Sequence, residues 1–277
     1  MVRRLRSSAW LLLPATAVLL VVFAYPVVRL LMQSFTGTDG GWPTLERYVA
    51  LVSDPFIRGI FLRTLAVGLV ATVVCLLIGL PLAWGYVRTR GVWRTLILVS
   101  VIAPLLINHV VRTYGWTVIL GQSGVVEQLL RWLGVDDPPR LIYTEFAVMV
   151  GLVSVFTPFM VLALIPAFAR IDRQLYAAAT SLGAGPLRQL RTITLPLLRP
   201  GIAAGCVLVF ALTQGAFVAP LMLGGSGVQM TTTLVYTDAM VLYNWPRATA
   251  TAVILLVVVL LIISLQTQLA RTRWADR

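Results

Sequence analysis

The stretch "AAATSLGAGPLRQLRTITLP", residues 177–196, lies between two long apolar runs and contains arginines but no acid. The small residues Ala177–Thr180 predict a helix with a nearly flat face, and Asp172 is a suitable N-cap for it. Gly183 can supply the left-handed residue that ends such a helix, and Pro186 prevents its continuation. A second, basic helix is expected to run to the proline that closes the stretch. A flat helical face lets another surface come close, although a solvated, alanine-rich connector has the same composition.

The composition around this stretch is that of an integral membrane protein. Hydrophobic residues make up 59% of the 277 residues and charged residues only 12%, with a mean hydropathy of +0.91, whereas charged residues alone form about a quarter of a soluble domain. Intervals free of charge are long enough to cross a bilayer as helices. The sequence therefore predicts an all-α protein with six transmembrane helices, at about 9–31, 62–87, 95–118, 145–169, 200–223 and 247–270.

The distribution of arginine predicts the orientation of these helices. All 22 basic residues are arginines, and the formal net charge is +12. Basic residues in short loops resist translocation across the membrane. With both termini cytoplasmic, the inner segments hold most of the arginines and only two acids, Asp172 and Asp276, while the outer segments are balanced. Membrane topology accounts for the positive charge, so no nucleic-acid partner is expected.

The quoted stretch also fits a known spacing. The pattern Glu-Ala-Ala, three residues, Gly, nine residues, Ile-x-Leu-Pro is matched, apart from its first residue, by Ala178, Ala179, Gly183, Ile193, Leu195 and Pro196. In this, the chain resembles the inner-membrane permease subunits of binding-protein-dependent ABC importers, whose EAA loop precedes the fifth helix. The resemblance implies the type I importer permease fold, with residues 1–277 as a single transmembrane domain and residues 170–199 as a cytoplasmic coupling loop.

The resemblance assigns roles within that loop. The residues implied in coupling to an ATPase are Asp172, Ala177, Ala178, Ala179, Gly183, Ile193, Leu195 and Pro196. Ala177 stands where the family pattern has glutamate, a residue that helps to anchor the loop. Arg173, Arg188 and Arg191 are candidates to replace that anchor, and backbone contacts are the alternative.

The absence of lysine from the sequence bears on the source of energy. A P-loop needs Gly-Lys-Ser/Thr to reach the nucleotide phosphates, so this chain cannot contain one. We expect a non-catalytic subunit of a bacterial inner (cytoplasmic) membrane transporter that binds no cofactor or metal itself. The resemblance implies three partners besides the lipid bilayer: an ATP-binding cassette dimer that holds ATP and Mg, an extracytoplasmic solute-binding protein, and a second permease, for which the family favours a different chain.

A polar and aromatic group in the third predicted helix is a candidate for the substrate path. Asn108, Arg112 and Trp116 are spaced four apart and would share one face of a continuous helix, with Arg112 near the outer leaflet. Tyr114 belongs to the same segment, "RTYGW", which resembles an element of the spermidine/putrescine (polyamine-type) permeases. Snorkelling of the arginine beside an interfacial aromatic belt is the alternative interpretation.

Three residues nearer the C-terminus complete the predicted path. Gln214 is a polar residue within the fifth predicted helix, and Gly215 and Pro220 predict an unwound stretch after it. Ala216 stands where an acid is expected in polyamine importers. Asp238 is then the clearest remaining site for a cation. A polyamine or a related amine or opine-like compound is expected as solute, and an organic anion or amino-acid derivative is the alternative.

Two other classes of protein fit the sequence less well. An ion-coupled secondary transporter needs an ionisable relay within the membrane, and the charge-free intervals offer one histidine, His109, and no acid. A membrane hydrolase would need a nucleophile motif. The segments "GQSG" and "GGSG" each contain a serine, but neither matches G-x-S-x-G.

Overall fold

A computed structural model describes residues 3–36 and 44–275. Within these ranges the chain is helical and contains no β-strand. The α-helices are α1 (Arg3–Ser34), α2 (Glu46–Ser53), α3 (Pro55–Arg88), α4 (Val92–Leu106), α5 (His109–Leu120), α6 (Val125–Trp132), α7 (Glu145–Ala169), α8 (Arg173–Ser181), α9 (Pro186–Gln189), α10 (Leu195–Gln214), α11 (Thr231–Tyr236) and α12 (Trp245–Ala275). Three π-helical turns interrupt this order, at Leu190–Thr194, Pro220–Gly224 and Thr237–Val241.

Four helical segments are long and apolar enough to cross a membrane. They are Pro55–Arg88, Glu145–Ala169, Pro186–Gln214 and Trp245–Gln266. A fifth crossing is formed if α4 and the bent segment that follows it are counted as one broken span. The predicted first span falls within α1, in which Leu20–Ser34 is a shorter apolar helix. The described residues thus contain four or five apolar spans, and the chain ends at residues 1–2 and 276–277 lie outside them.

The larger of two compact units, Ile60–Thr233 with the residues from Val258 onward, is built around α7. This helix is apolar on all sides, as expected of a helix enclosed by others, and Thr144 caps its start by accepting a hydrogen bond from the Ala147 N–H at 3.3 Å. Its buried residues include Leu152, Met160 and Leu164. It packs against α4, α5, α10 and the π-turn Pro220–Gly224.

Small residues allow α7 and α10 to lie close together. A Cβ atom added to Gly201 would be 2.3 Å from Cβ of Ala167, and one added to Gly205 would be 2.7 Å from Sδ of Met160. Close backbone approach at glycine is the usual way in which membrane helices gain packing contacts, because lipid provides no hydrophobic drive between them. Helix α10 is therefore held firmly against the central helix.

The smaller unit contains the described residues up to Gly59 together with Leu234–Val257. Tyr48 donates a hydrogen bond to Ser34 Oγ at 2.6 Å and stacks at 5.4 Å on Phe35, which holds α2 against the end of α1. Most of the apolar side chains from Val18 to Met32 are exposed; Phe23, for example, is 71% exposed. Such an apolar helix surface is suited to lipid or to another membrane subunit.

Candidate coupling loop and translocation residues

The coupling loop begins with the helix cap that the sequence predicts. Asp172 Oδ1 accepts a hydrogen bond from the Gln174 N–H at 2.9 Å, and α8 runs from the next residue to Ser181. An aspartate at this position satisfies one of the free N–H groups of the first turn and favours the positive end of the helix dipole. The predicted N-cap is confirmed.

The end of α8 is a complete Schellman turn. Gly183 has φ +74°, its N–H donates to the Thr180 carbonyl at 2.9 Å, and the Ala184 N–H donates to the Ala179 carbonyl at 2.9 Å. These two bonds satisfy carbonyls that the last helical turn would otherwise leave free. The prediction that Gly183 ends the helix in the left-handed conformation is confirmed. Pro186, which was predicted to prevent the first helix from continuing, is the first residue of α9.

Side chains then fix the turn to the rest of the loop. Gln189 Nε2 donates both to Thr180 Oγ1 and to the Ala184 carbonyl, each at 2.9 Å. The Tyr176 hydroxyl lies 2.9 Å from Thr194 Oγ1, a buried group in the following π-turn. Because these bonds join α8 to the segment after it, the loop is a built unit and not a loose connector.

The C-terminal end of α3 contacts the same loop through Arg88. Its guanidinium lies over the ring of Trp84 at 4.7 Å and over the ring of Tyr176 at 5.3 Å, and such cation–π contacts are attractive. Beside them is a mainly apolar cavity of about 480 Å³ bordered by Pro81, Leu187 and Leu198, among others. The contacts connect α3 with α8 across a space that side chains do not fill.

One exposed patch of the loop, at the end of α8, is made mostly of small side chains. Ala177, Ala178 and Ser181 are exposed, and Leu182 projects beyond them with 85% of its surface exposed. Ala179 is half-buried, as are three other motif residues, Ile193, Leu195 and Pro196. The motif therefore divides into residues that form the surface and residues that hold the loop in place.

The second helix of the loop does not end at Pro196, contrary to the prediction. Helix α9 continues through the π-turn Leu190–Thr194 into α10, so that Pro186–Gln214 is one helical segment. Proline cannot donate to the carbonyl four residues earlier and collides with it in a regular α-helix. The wider π-turn, with its Leu195 N–H bonded to the Leu190 carbonyl, removes that conflict. The fifth span was predicted at 200–223. In the structure the corresponding helical segment begins earlier, at Pro186, and ends at Gln214.

The third predicted helix, 95–118, is also not continuous. Helix α4 ends at Leu106 and α5 begins at His109, and the segments Val92–Leu106 and His109–Trp132 differ in direction by 101°. Asn108 is the N-cap of α5, where its Oδ1 accepts a hydrogen bond from the Val110 N–H at 2.8 Å. Placing Asn108, Arg112 and Trp116 on one face of a straight helix was therefore wrong, because Asn108 lies at the bend and not within a helical repeat.

Arg112 holds this bend together. One of its terminal nitrogens, Nη1, donates to the Pro104 carbonyl at 2.6 Å, and the other lies 3.5 Å from His109 Nδ1. The carbonyls of a final helical turn lack partners within their helix. Arg112 supplies one from the first turn of the next helix, and a cation at that end also complements the helix dipole.

Trp116 and Tyr114 lie in different surroundings, one bonded to a neighbouring helix and the other exposed. Trp116 Nε1 donates to Ser154 Oγ at 3.0 Å, which attaches α5 to the central helix α7. Tyr114 is 62% exposed. The structure thus separates the four residues predicted for this segment into a helix cap, a link across the bend, an anchor and an exposed ring.

Gln214 and Ala216 lie on either side of the break after α10. The Gln214 side chain is 2% exposed, and neither its Nε2 nor its Oε1 has a hydrogen-bond partner. A Cβ atom on Gly68 of α3 would be 1.9 Å from Gln214 Nε2, so the amide occupies the space above that glycine. Residues 215–217 are not helical, which confirms the predicted unwound stretch, and Ala216 accepts a hydrogen bond from Thr232 Oγ1 at 2.7 Å.

Asp238 lies on the π-turn Thr237–Val241 of the smaller unit and is 1% exposed. Its Oδ2 is 3.4 Å from Nε of Arg247. Burial raises the pKa of the Asp238 carboxyl above its ordinary value, and the charge of Arg247 offsets only part of that rise. The carboxylate predicted as a free cation site already has a cation beside it. No group of three or more histidines, cysteines or acids that could hold a metal occurs in the described part of the chain.

Comparison with known proteins identifies the family. Residues 76–274 match the family described as "Binding-protein-dependent transport system inner membrane component". The chain belongs to this family. It is 35% identical over 216 residues to the spermidine/putrescine transport system permease protein PotB of Escherichia coli (strain K12), with 78% of each chain covered. It is 34% identical over 244 residues to PotB of Haemophilus influenzae, covering 86% of this chain and 85% of the relative.

A solved structure confirms the fold of the permease. A chain of a bacterial alginate ABC transporter, in complex with an alginate pentasaccharide-bound periplasmic protein, superimposes with a TM-score of 0.83 at 20% identity, covering 98% of this chain and 96% of the other. The chain is therefore a multi-pass inner-membrane permease subunit of an ABC importer. Permeases of this family are not the catalytic subunits of their transporters.

Several residues that shape the permease sites were not found from the sequence. Three of them make contacts with other parts of the chain: Gln189, Arg88 and Arg247. The fourth, Leu182, is notable for its exposure. Of these, only Leu182 carried a usable signal, because a large apolar residue directly before the helix-ending glycine of a loop predicted to be cytoplasmic indicates a contact surface.

Proposed function

We propose that this permease is one of two transmembrane subunits of an ATP-driven importer of a small organic amine. Six spans, with both termini in the cytoplasm, form half of the translocation path. Residues 170–199 couple the path to a separate dimeric ATPase, which binds ATP and Mg, while this chain binds neither. A second permease of different sequence completes the path, and an extracytoplasmic binding protein delivers the solute.

The observation that carries the proposal is the construction of the coupling loop. Helix α8 is capped at both ends, tied to Gln189 and Thr194, and stacked on Arg88. Its exposed residues include the small Ala177, Ala178 and Ser181 and the projecting Leu182. A loop that only joined two spans would need neither the rigidity nor the apolar tip. Both features suit a helix that enters a cleft on a partner and transmits force.

The continuous helix from Pro186 to Gln214 supports a mechanical role. At about 1.5 Å per residue its 29 residues extend over roughly 40 Å. Movement of the loop is thus carried by one element to the break at residues 215–217. ATP binding would close the ATPase dimer, move the loop, and change the path from inward-facing to outward-facing.

The amine assignment draws on the relatives, two of which are named as spermidine/putrescine permeases. The alternative is an organic anion or amino-acid derivative. One observation favours that alternative: Ala216 offers no charge, and the buried Asp238 is paired with Arg247, so no unpaired buried carboxylate stands at either predicted position. Identifying the solute that co-purifies with the cognate binding protein decides between the two classes.

Co-purification with the ATP-binding subunit tests the coupling role. Leu182→Asp should abolish retention of that subunit, because a charge would enter an apolar contact, while the exposed position leaves the permease fold intact. Leu133→Asp is the matched control, since Leu133 is 64% exposed and is predicted to lie on the outer side. Retention of the ATPase by the Leu182 variant, or its loss in the Leu133 variant alone, would contradict the proposal.

A further inference from the structure

The pairing of Asp238 with Arg247 is incomplete. The closest approach between their charges is 3.4 Å, and neither Asp238 Oδ2 nor Arg247 Nε has a hydrogen-bond partner. A carboxylate that is 1% exposed has lost most of its hydration, and the attraction of one distant, poorly aligned cation does not replace it well. The site thus holds a buried negative charge with an unused acceptor atom.

The two partners differ in their freedom to move. The Asp238 carbonyl accepts a hydrogen bond from the Asn244 N–H at 2.8 Å, which fixes the π-turn on which the short side chain stands. The Arg247 backbone N–H is held by Asn244 Oδ1 at 3.2 Å, but its side chain is 37% exposed and has a long flexible stem. Opening the pair therefore means that the guanidinium moves into water, where it is well solvated, while the carboxylate stays in place.

We propose that Arg247 is an internal substitute cation, occupying a site on Asp238 that accepts an ammonium group of the transported solute. This inference rests on the proposed import of an amine. A primary ammonium is compact and carries three donors, so it can approach Oδ2 directly, whereas the nearest guanidinium atom given by the structure, Nε, lies 3.4 Å away. The displaced Arg247 is hydrated at the surface of the segment.

The exchange makes Arg247 a determinant of specificity. A neutral or anionic solute offers nothing to the carboxylate and leaves the pair closed. A cationic solute replaces one ion pair by a better one, so its net gain depends on how strongly Arg247 competes. Weakening the competitor should tighten binding of the solute, and strengthening the competitor should weaken it.

The test uses the complete importer in nanodiscs, with putrescine as the probe. Binding of radiolabelled putrescine is measured without the binding protein, so that only the affinity of the membrane subunits is observed. Asp238→Asn should weaken binding about tenfold or more, the effect of losing one charge-assisted contact. Arg247→Gln should tighten it severalfold. Arg247→Lys should weaken it, because an ammonium group on the chain competes better than the guanidinium.

Two further variants isolate the exchange. In the Asp238→Asn background, Arg247→Gln should have no effect on putrescine affinity. Arg131→Gln, which removes an exposed ion pair with Glu127 at 2.9 Å, should leave the affinity unchanged. If the pair only stabilises the fold, Arg247→Lys will instead restore wild-type behaviour, and Arg247→Gln will lower the melting temperature without tightening binding. That result overturns the inference.

The outcome for the inference can be separated from the outcome for the amine assignment. ATP-driven uptake of putrescine or spermidine into proteoliposomes, with the binding protein present, tests the assignment alone. Uptake by the wild type combined with unchanged affinities in the Arg247 variants refutes the substitute-cation role and leaves the amine assignment standing. Absence of uptake of both amines refutes the amine assignment and the inference together.

Discussion

At the scale of single residues, the sites depend on positions where one side chain, or its absence, sets the local geometry. Gly183 is the clearest case. A Cβ atom at this position would meet no atom within 4 Å, yet its φ of +74° is costly for other residues. The residue is required by backbone conformation and not by space.

Substituting Gly183 tests that distinction. Gly183→Ala should destabilise the loop by about 1 kcal/mol, the cost of left-handed backbone for a residue with a Cβ, and should increase the number of ATP molecules hydrolysed per solute imported. Gly183→Asn should be milder, because asparagine tolerates this conformation. Gly185→Ala is the matched control, since Gly185 is equally open but has ordinary φ. If Gly183→Ala and Gly185→Ala changed stability and ATP use equally, the left-handed backbone at Gly183 would not be the cause.

Gly68 presents the opposite case, in which space is decisive. Gly68→Ala should lower the melting temperature, with a cost of roughly 1–3 kcal/mol typical of overpacking, because its Cβ would collide with the Gln214 amide. Gln214→Ala should relieve much of that cost in the double variant. Gly59→Ala, on the same helix with no atom within 4 Å, should be neutral or slightly stabilising. Additive losses at Gly68 and Gln214 would show that the two do not compete for space.

At the scale of elements, the breaks between helices position the candidate site residues as much as the helices do. The sequence predicted the caps of α8 and the irregular stretch after Gln214, because Asp172, Gly183 and Gly215 act on their immediate neighbours. It did not predict the 101° bend before His109, since an apolar run looks the same whether straight or broken. The partners of Arg112, Trp116 and Asp238 were also missed, because those contacts depend on how separate elements pack.

Removing the link across that bend should loosen it. Arg112→Gln is expected to lower stability by about 1.5–3 kcal/mol, the range for a hydrogen bond made by a charged group, because the Pro104 carbonyl loses its charged donor and keeps only the long bond of 3.4 Å from the Ile107 N–H. Cysteine accessibility at the exposed Leu106 and Val110 should rise together. Arg131→Gln, which breaks only an exposed pair, should change neither quantity measurably. An unchanged melting temperature in the Arg112 variant would show that the bend holds without the guanidinium.

At the scale of the whole molecule, the orientation in the membrane determines whether the proposed roles are compatible. The coupling loop must face the cytoplasm, and the segment between α6 and α7 must face outward. Single cysteines at Gly185 and Val135, in a background lacking the buried Cys75 and the half-buried Cys206, report on this directly. An impermeant maleimide should label position 135 in intact spheroplasts and position 185 only after permeabilisation. The reverse pattern would invalidate the coupling role.

The π-turn at Leu190–Thr194 has a consequence for how this permease can change over evolution. Each residue added to a helix rotates everything after it by roughly 100°, and a π-turn is such an extra residue absorbed locally. Deleting one residue there would therefore restore a regular helix while the buried side of α10 still faces α7 and the surface around Leu182 is unchanged. The π-turn can therefore take up a change in helix length. Mutations can alter the proposed ATPase-contacting surface or the residues that line the path without rotating one relative to the other.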